Sequence, residues 1–130
     1  MACLETSFLV DILRGNKEAH FLMQSTENKG DNITIAAPAV MELISGAQLN
    51  HIPKERERIN KLITHSLILP LNEESAIIAG EIGAQLVIQG ETIDAVDIMI
   101  GAIAKHNNET LITRNKKHFE KIPGLKIESY

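Results

Sequence analysis

Two acidic residues interrupt apolar stretches of this chain. Glu42 lies inside AVMELISGA and Asp97 lies inside IDAVDIMIGA, each with apolar residues on both sides. A buried carboxylate without a partner is costly, and neighbouring carboxylates repel each other unless a cation lies between them. Magnesium prefers carboxylate oxygens and water as ligands, and beside a phosphate it activates water and neutralises developing charge. The pattern therefore indicates metal-assisted phosphoryl chemistry.

Other polar residues lie just after predicted strands, where the chain leaves the sheet. Glu5 ends the first apolar run directly before a helix, and Thr113 and Asn115 follow another strand. A carboxylate at a helix N-terminus is commonly a cap, so for Glu5 the capping and metal-ligand interpretations both stay open. For Asp94, which lies three residues before Asp97, the capping interpretation is favoured.

The elements that must position these residues alternate between short strands and helices, which predicts an α/β fold with a mainly parallel sheet. Thr6 or Ser7 is expected to cap the first helix, Gly15 to end it, and Pro38 to open a later one. In such sheets, sites form at the carboxyl ends of the strands. The predicted strands are 2–5, 33–37, 66–71, 110–113 and 125–128, and the predicted helices are 6–15, 16–29, 38–50, 53–65, 72–89 and 94–107.

Composition limits the class of protein. A chain of 130 residues with 44% hydrophobic residues predicts one domain, 1–130. A net charge of −4 excludes a basic protein that coats nucleic acid, so RNA contact would need a local basic patch or metal ions. The single cysteine, Cys3, excludes a disulfide within the chain. We expect a cytoplasmic location and no membrane segment.

Four segments in order resemble the PIN-domain family, in particular the VapC-like toxin ribonucleases of type II toxin–antitoxin pairs. They are CLETSFLVDILRG, AVMELISGA, DIMIGAIAKH and TLITRNKKHFEKIPGLKI, and together they cover essentially the whole chain. The resemblance implies a PIN-like three-layer fold with a central five-stranded sheet flanked by helices. It also implies Mg²⁺- or Mn²⁺-dependent cleavage of RNA by metal-activated water, a homodimer and a cognate antitoxin.

The resemblance carries over to individual residues. Glu5, Glu42 and Asp97 fall on the three metal-binding acids and Asn115 on the fourth polar position, which together form the implied catalytic set. Thr6 and Thr113 fall on supporting hydroxyl positions. Asp94, for which capping is favoured, is a candidate fourth acid of the site on its position alone. The flanking residues Arg14, Arg114 and Lys116 are candidate contacts to RNA phosphates.

Glu5 departs from the family's usual aspartate. Its extra methylene moves the carboxylate by about 1.5 Å, and magnesium tolerates misplaced ligands poorly. Two hypotheses therefore stay open: an active endoribonuclease, or a degenerate PIN domain that binds RNA or an antitoxin without cutting. A receiver-like phosphate-acceptor domain ranks last, because such a domain needs an aspartate at the end of a central strand and a lysine nearby, whereas the first strand here ends in Glu5.

Three further features have simpler interpretations. Asp11, within the first helix, is expected to be exposed or to act as a capping partner. For His118 a surface or packing role is favoured over that of a general base. Gly80 and Gly83 in the helix SAIIAGEIGAQLV indicate close backbone contact, either with an internal neighbour or with a second subunit.

Overall fold

A computed structural model describes residues 1–130. It contains one five-stranded sheet in the order β3-β2-β1-β4-β5, and every neighbouring pair of strands is parallel. The strands are β1 (Ala2–Leu4), β2 (Ile33–Ala36), β3 (Leu67–Leu69), β4 (Thr110–Ile112) and β5 (Lys126–Glu128). The helices are α1 (Thr6–Leu13), α2 (Lys17–Asn28), α3 (Ala37–Asn50), α4 (Pro53–Thr64), α5 (Glu73–Ile88), α6 (Ala95–His106) and α7 (Lys116–Phe119).

The strand order determines where a site can form. The chain runs outward from β1 through β2 to β3, and then returns to place β4 on the other side of β1. This reversal leaves a crevice at the carboxyl ends of β1 and β4, which is where open parallel sheets bind ligands. Glu5 follows β1 and Thr113 follows β4, so the topology brings their side chains to the same edge.

The central strands are short and apolar because both of their faces are covered. Cys3, Leu4, Ile35, Leu111 and Ile112 are fully buried, as expected for strands of a parallel sheet enclosed by helices. Helix α6 is also buried over Ile100–Ala104, and it packs against α5, α3 and β4. None of the seven helices is long and apolar enough to cross a membrane.

The predicted fold class is confirmed, and each of the five predicted strands contains an observed one. One local prediction was wrong, and one helix was not predicted. Helix α1 is capped by Glu5 and not by Thr6 or Ser7, because the Glu5 carboxylate accepts the Ser7 backbone N–H. The sequence pattern also missed α7, because a helix of one turn is too short to show a 3.6-residue period.

Candidate active site

Glu5 is held by three protein donors at the mouth of α1. Its side chain is only 2% exposed, and Oε2 accepts the Ser7 backbone N–H at 2.6 Å. Oε1 accepts the Ser7 hydroxyl at 2.7 Å and also the Thr113 hydroxyl. The carboxylate is therefore a helix cap that also joins β1 to the loop after β4.

Glu42 reaches the same region from α3. It lies one turn into the helix, is half-buried, and its Oε1 accepts the Thr6 hydroxyl at 2.6 Å. Thr6 is the first residue of α1, so this contact joins α1 to α3 over 36 residues of sequence. Oε2 of Glu42 receives no protein hydrogen bond and is available to another ligand.

Asp97 lies in the first turn of α6 and completes an acidic group of three residues with Glu5 and Glu42. Burial, followed by the charges of Glu5 and Glu42, raises the pKa of the Asp97 carboxyl from 3.8 to about 6. The exposed His118 ring lowers that pKa in part, and its Nδ1 lies 3.6 Å from Asp97 Oδ2. The charges of Glu5 and Glu42 thus act on Asp97 and disfavour its ionised form.

Asp97→Asn is expected to raise the thermal stability of the metal-free protein at neutral pH. A folded-state pKa above the unfolded value means that the folded state binds more protons, so Asp97 costs stability as pH rises through about 6. In chelator, the variant should melt a few degrees above wild type at about pH 7.5 and show a smaller gain at about pH 4.5. An equal gain at both pH values, measured by circular dichroism, would contradict this explanation.

Of the other predicted site residues, some lie next to the acidic group and one lies away from it. Asn115 is half-buried at the N-terminus of α7, and its side chain makes no capping hydrogen bond. Asp94 occupies the N-cap position of α6 without a side-chain cap bond, and it adds weakly to the pKa shift of Asp97. Lys116 is exposed at the start of α7. Arg14 is the C-cap of α1, at the opposite end of that helix from Glu5, so it does not reach this site.

The structure adds residues that sequence reasoning missed. Ser7 bridges Glu5 and the loop after β4, since its Oγ also accepts the Arg114 backbone N–H at 3.1 Å. The expectation for Asp11 was wrong, because it is 4% exposed and binds Arg114 and Tyr130. Asp11 lies between two apolar residues, and that pattern, which singled out Glu42 and Asp97, would have identified it.

The carboxylate oxygens of Glu5, Glu42 and Asp97 are the kind of ligand that a hard divalent cation prefers, but these side chains are not arranged as a complete coordination shell. No three of the His, Cys, Asp and Glu side chains form a group able to hold a metal ion as they stand. Both oxygens of Glu5 already accept protein hydrogen bonds, whereas Glu42 and Asp97 keep open oxygens of the kind that Mg²⁺ and Mn²⁺ prefer. Burial and the negative charges of Glu5 and Glu42 both disfavour ionised Asp97, and a cation bound between the carboxylates would offset both effects.

The family model for the PIN domain matches residues 2–125. The chain belongs to the PIN-domain family. Its sequence is 29% identical to the tRNA(fMet)-specific endonuclease VapC of Salmonella typhimurium over 116 residues, which cover 88% of this chain and 87% of that protein. This PIN domain therefore has a curated ribonuclease relative that matches it over most of both lengths.

Solved structures of toxin–antitoxin complexes contain chains with the same fold as this PIN domain. DNA-bound VapBC from Salmonella typhimurium contains a chain that superposes with a TM-score of 0.87 at 28% identity, covering 98% of this PIN domain and 96% of that chain. A chain of a toxin–antitoxin complex from Klebsiella pneumoniae superposes with a TM-score of 0.75 at 26% identity, covering 96% and 95%. The predicted resemblance to VapC-like PIN domains is confirmed.

Proposed function

We propose that this PIN domain is a toxin-like endoribonuclease that depends on Mg²⁺ or Mn²⁺. The observation that carries the proposal is the acidic group at the carboxyl edge of the sheet, where burial, together with the charges of Glu5 and Glu42, raises the pKa of Asp97 to about 6. Such a group would bind a divalent cation and would repel a phosphodiester in its absence. The similarity to a named tRNA endonuclease supports RNA as the substrate class.

Each residue has a distinct proposed role. Glu42 and Asp97, with Glu5, would hold the cation, which supplies an activated water and neutralises charge on the phosphate when bound. Thr6 fixes the Glu42 carboxylate, and Ser7 and Thr113 fix that of Glu5. The free Asn115 amide orients a water or a ligand oxygen. The products would carry a 5′-phosphate and a 3′-hydroxyl.

Purified protein incubated with a panel of single-stranded and structured RNAs tests this proposal. We expect cleavage in Mn²⁺ and Mg²⁺, none in chelator, and products whose 5′ ends are removed by a 5′-phosphate-dependent exonuclease. Cleavage that persists in chelator, or products with cyclic 2′,3′-phosphates, would reject the proposed mechanism, because cyclic ends arise from attack by the 2′-hydroxyl.

A second candidate function is a PIN domain that binds RNA or a protein without cutting. The observation that favours it is the Glu5 carboxylate, whose two oxygens are both occupied by protein donors, together with the absence of a closed three-residue metal group. This candidate predicts RNA binding by wild type without turnover. Robust cleavage by the wild-type protein would end it.

We also propose that a cognate antitoxin binds this chain. Two similar solved structures are VapBC bound to DNA and a toxin–antitoxin complex. The acidic group provides a chemical reason for the partner's position, because a basic side chain inserted there would relieve the same repulsion that a cation would. Such a segment would compete with both metal and RNA.

We propose that the chain forms a homodimer through α5. Ile77, Val87 and Ile88 are 54%, 70% and 78% exposed, and together with Gly80 they lie on one face of that helix. A side chain at Gly83 would make only an ordinary contact with Ile98, and one at Gly80 would meet nothing within 4 Å. Internal packing therefore does not require a glycine at position 80. The open space beside Gly80 could accommodate a helix of a second copy of the chain.

The variant Val87→Glu/Ile88→Glu is expected to be monomeric. Two carboxylates on this face would oppose burial against a second copy. Light scattering after size-exclusion chromatography measures the mass, with Leu49→Glu, an equally exposed apolar position on α3, as the control. A dimer in the double variant, or dissociation by Leu49→Glu, would place the interface elsewhere.

A further inference from the structure

A second polar cluster lies beside the acidic site and is not part of it. The Asp11 carboxylate, on α1, accepts the Arg114 guanidinium at 2.8 Å through Oδ1 and the Tyr130 hydroxyl at 2.5 Å through Oδ2. Tyr130 follows β5 and stacks edge-on against Phe8, with ring centroids 5.3 Å apart. Burial and the bond to Asp11 raise the pKa of the Tyr130 hydroxyl, so it stays a donor. Both oxygens of a buried carboxylate are thus directed at two fixed donors.

Arg114 connects this cluster to the acidic site. Its backbone N–H donates to Ser7 Oγ, the same oxygen that donates to Glu5. Thr113 and Asn115, its neighbours in the chain, line the site. Asp11 engages one terminal nitrogen of Arg114, and the side chain remains 51% exposed. A guanidinium has five N–H donors, and Asp11 is the one side chain that Arg114 hydrogen-bonds, so donors remain for a phosphate that reaches the loop after β4.

We infer that Asp11 and Tyr130 are positioning residues that hold the Arg114 guanidinium ready to bind a phosphate of the RNA. A chain with a net charge of −4 and three acids at its site needs a fixed cation to bring a polyanion close. A free arginine loses side-chain entropy when it binds, whereas a clamped one has already lost it. This inference rests on the proposed RNA substrate.

A purely structural role makes the opposite prediction for RNA affinity. If Asp11 only ties the loop after β4 to α1, Asp11→Asn removes a negative charge and strengthens binding to a polyanion. If Asp11 positions Arg114, the same variant weakens binding even though it removes a negative charge. The sign of the change therefore separates the two roles.

Fluorescence anisotropy with a short labelled RNA of mixed sequence, in chelator so that nothing is cut, measures this sign. Arg114→Gln should weaken binding about tenfold and reduce the slope of log affinity against log salt by about 1. Asp11→Asn should weaken binding about threefold or more with a similar loss of slope, and Tyr130→Phe, which keeps the ring, about twofold. Glu120→Gln, an exposed acid at the end of α7, controls for charge and should leave affinity unchanged or raise it.

The double variant Asp11→Asn/Arg114→Gln completes the test. It should bind RNA no more weakly than Arg114→Gln alone, since Asp11 acts through Arg114. If Asp11→Asn binds RNA more tightly than wild type, as Glu120→Gln is expected to, the positioning role is overturned. The proposed function still stands in that case if the wild-type protein cuts RNA in the presence of metal. Wild type that binds no RNA in chelator but cuts RNA in Mn²⁺ would overturn the inference alone, and wild type that neither binds nor cuts RNA would overturn both. If Asp11→Asn does not fold, Tyr130→Phe decides: weaker binding supports the inference and unchanged binding overturns it.

Discussion

Asp97→Asn is expected to lower the rate of metal-dependent RNA cleavage by about 100-fold or more. Burial, followed by the charges of Glu5 and Glu42, raises the pKa of Asp97 to about 6, so its carboxylate faces the other two acids at the site. The amide keeps the size of the side chain and removes its charge and metal affinity. Initial rates on a labelled RNA in Mn²⁺ and in Mg²⁺ measure the effect.

Asp94→Asn is the matched control for that variant. Asp94 is exposed, lies three residues away on the same helix start, and makes no side-chain cap bond. Its loss should change the cleavage rate by no more than about threefold, through the long-range field alone. Cleavage that survives Asp97→Asn, or that Asp94→Asn abolishes, would show that the catalytic acids have been assigned incorrectly.

Glu5→Ala is expected to destabilise the protein by about 2–4 kcal/mol and to abolish cleavage. The substitution leaves the Ser7 backbone N–H and the buried hydroxyls of Ser7 and Thr113 without their acceptor, and it removes the cap of α1. Urea unfolding gives the free energy of unfolding, and the RNA assay gives the rate.

Two other variants separate the structural and chemical roles of Glu5. Glu5→Gln keeps the length and one acceptor oxygen, so it should recover more than half of the lost stability while cleavage stays at least about tenfold below wild type. Glu5→Asp tests the extra methylene. A silent wild type with an active Glu5→Asp would favour the second candidate function, and full activity in Glu5→Gln would remove Glu5 from the metal-binding set.

The fold was largely predictable because each strand is a short apolar run bounded by turn-forming residues, and such runs alternate with amphipathic helices. The residues at which individual strands and helices begin and end were harder to predict. Glu5 was placed at the end of the first strand, yet its carboxylate caps the next helix because the Ser7 N–H lies within reach. Helix α7 was missed because local propensity carries little information over four residues, and the contacts around Phe119 decide its conformation.

The site was predictable in its residue types but not in its contacts. Burial among apolar neighbours singled out Glu42 and Asp97, whereas the bond from Thr6 to Glu42 spans 36 residues and has no local pattern. Asp11 meets partners 103 and 119 residues away. Pairings at such separations depend on strand order, which a single sequence does not encode in any local pattern.

Binding of Mn²⁺ to the purified protein, followed by isothermal titration calorimetry and by competition with Mg²⁺, tests the central claim most directly. The acidic group of Glu5, Glu42 and Asp97 is predicted to bind Mn²⁺ saturably in wild type, to release it to Mg²⁺, and to lose at least about tenfold in affinity in Asp97→Asn. Equal binding by wild type and Asp97→Asn, or no binding by wild type, would contradict the claim that these carboxylates form a metal centre.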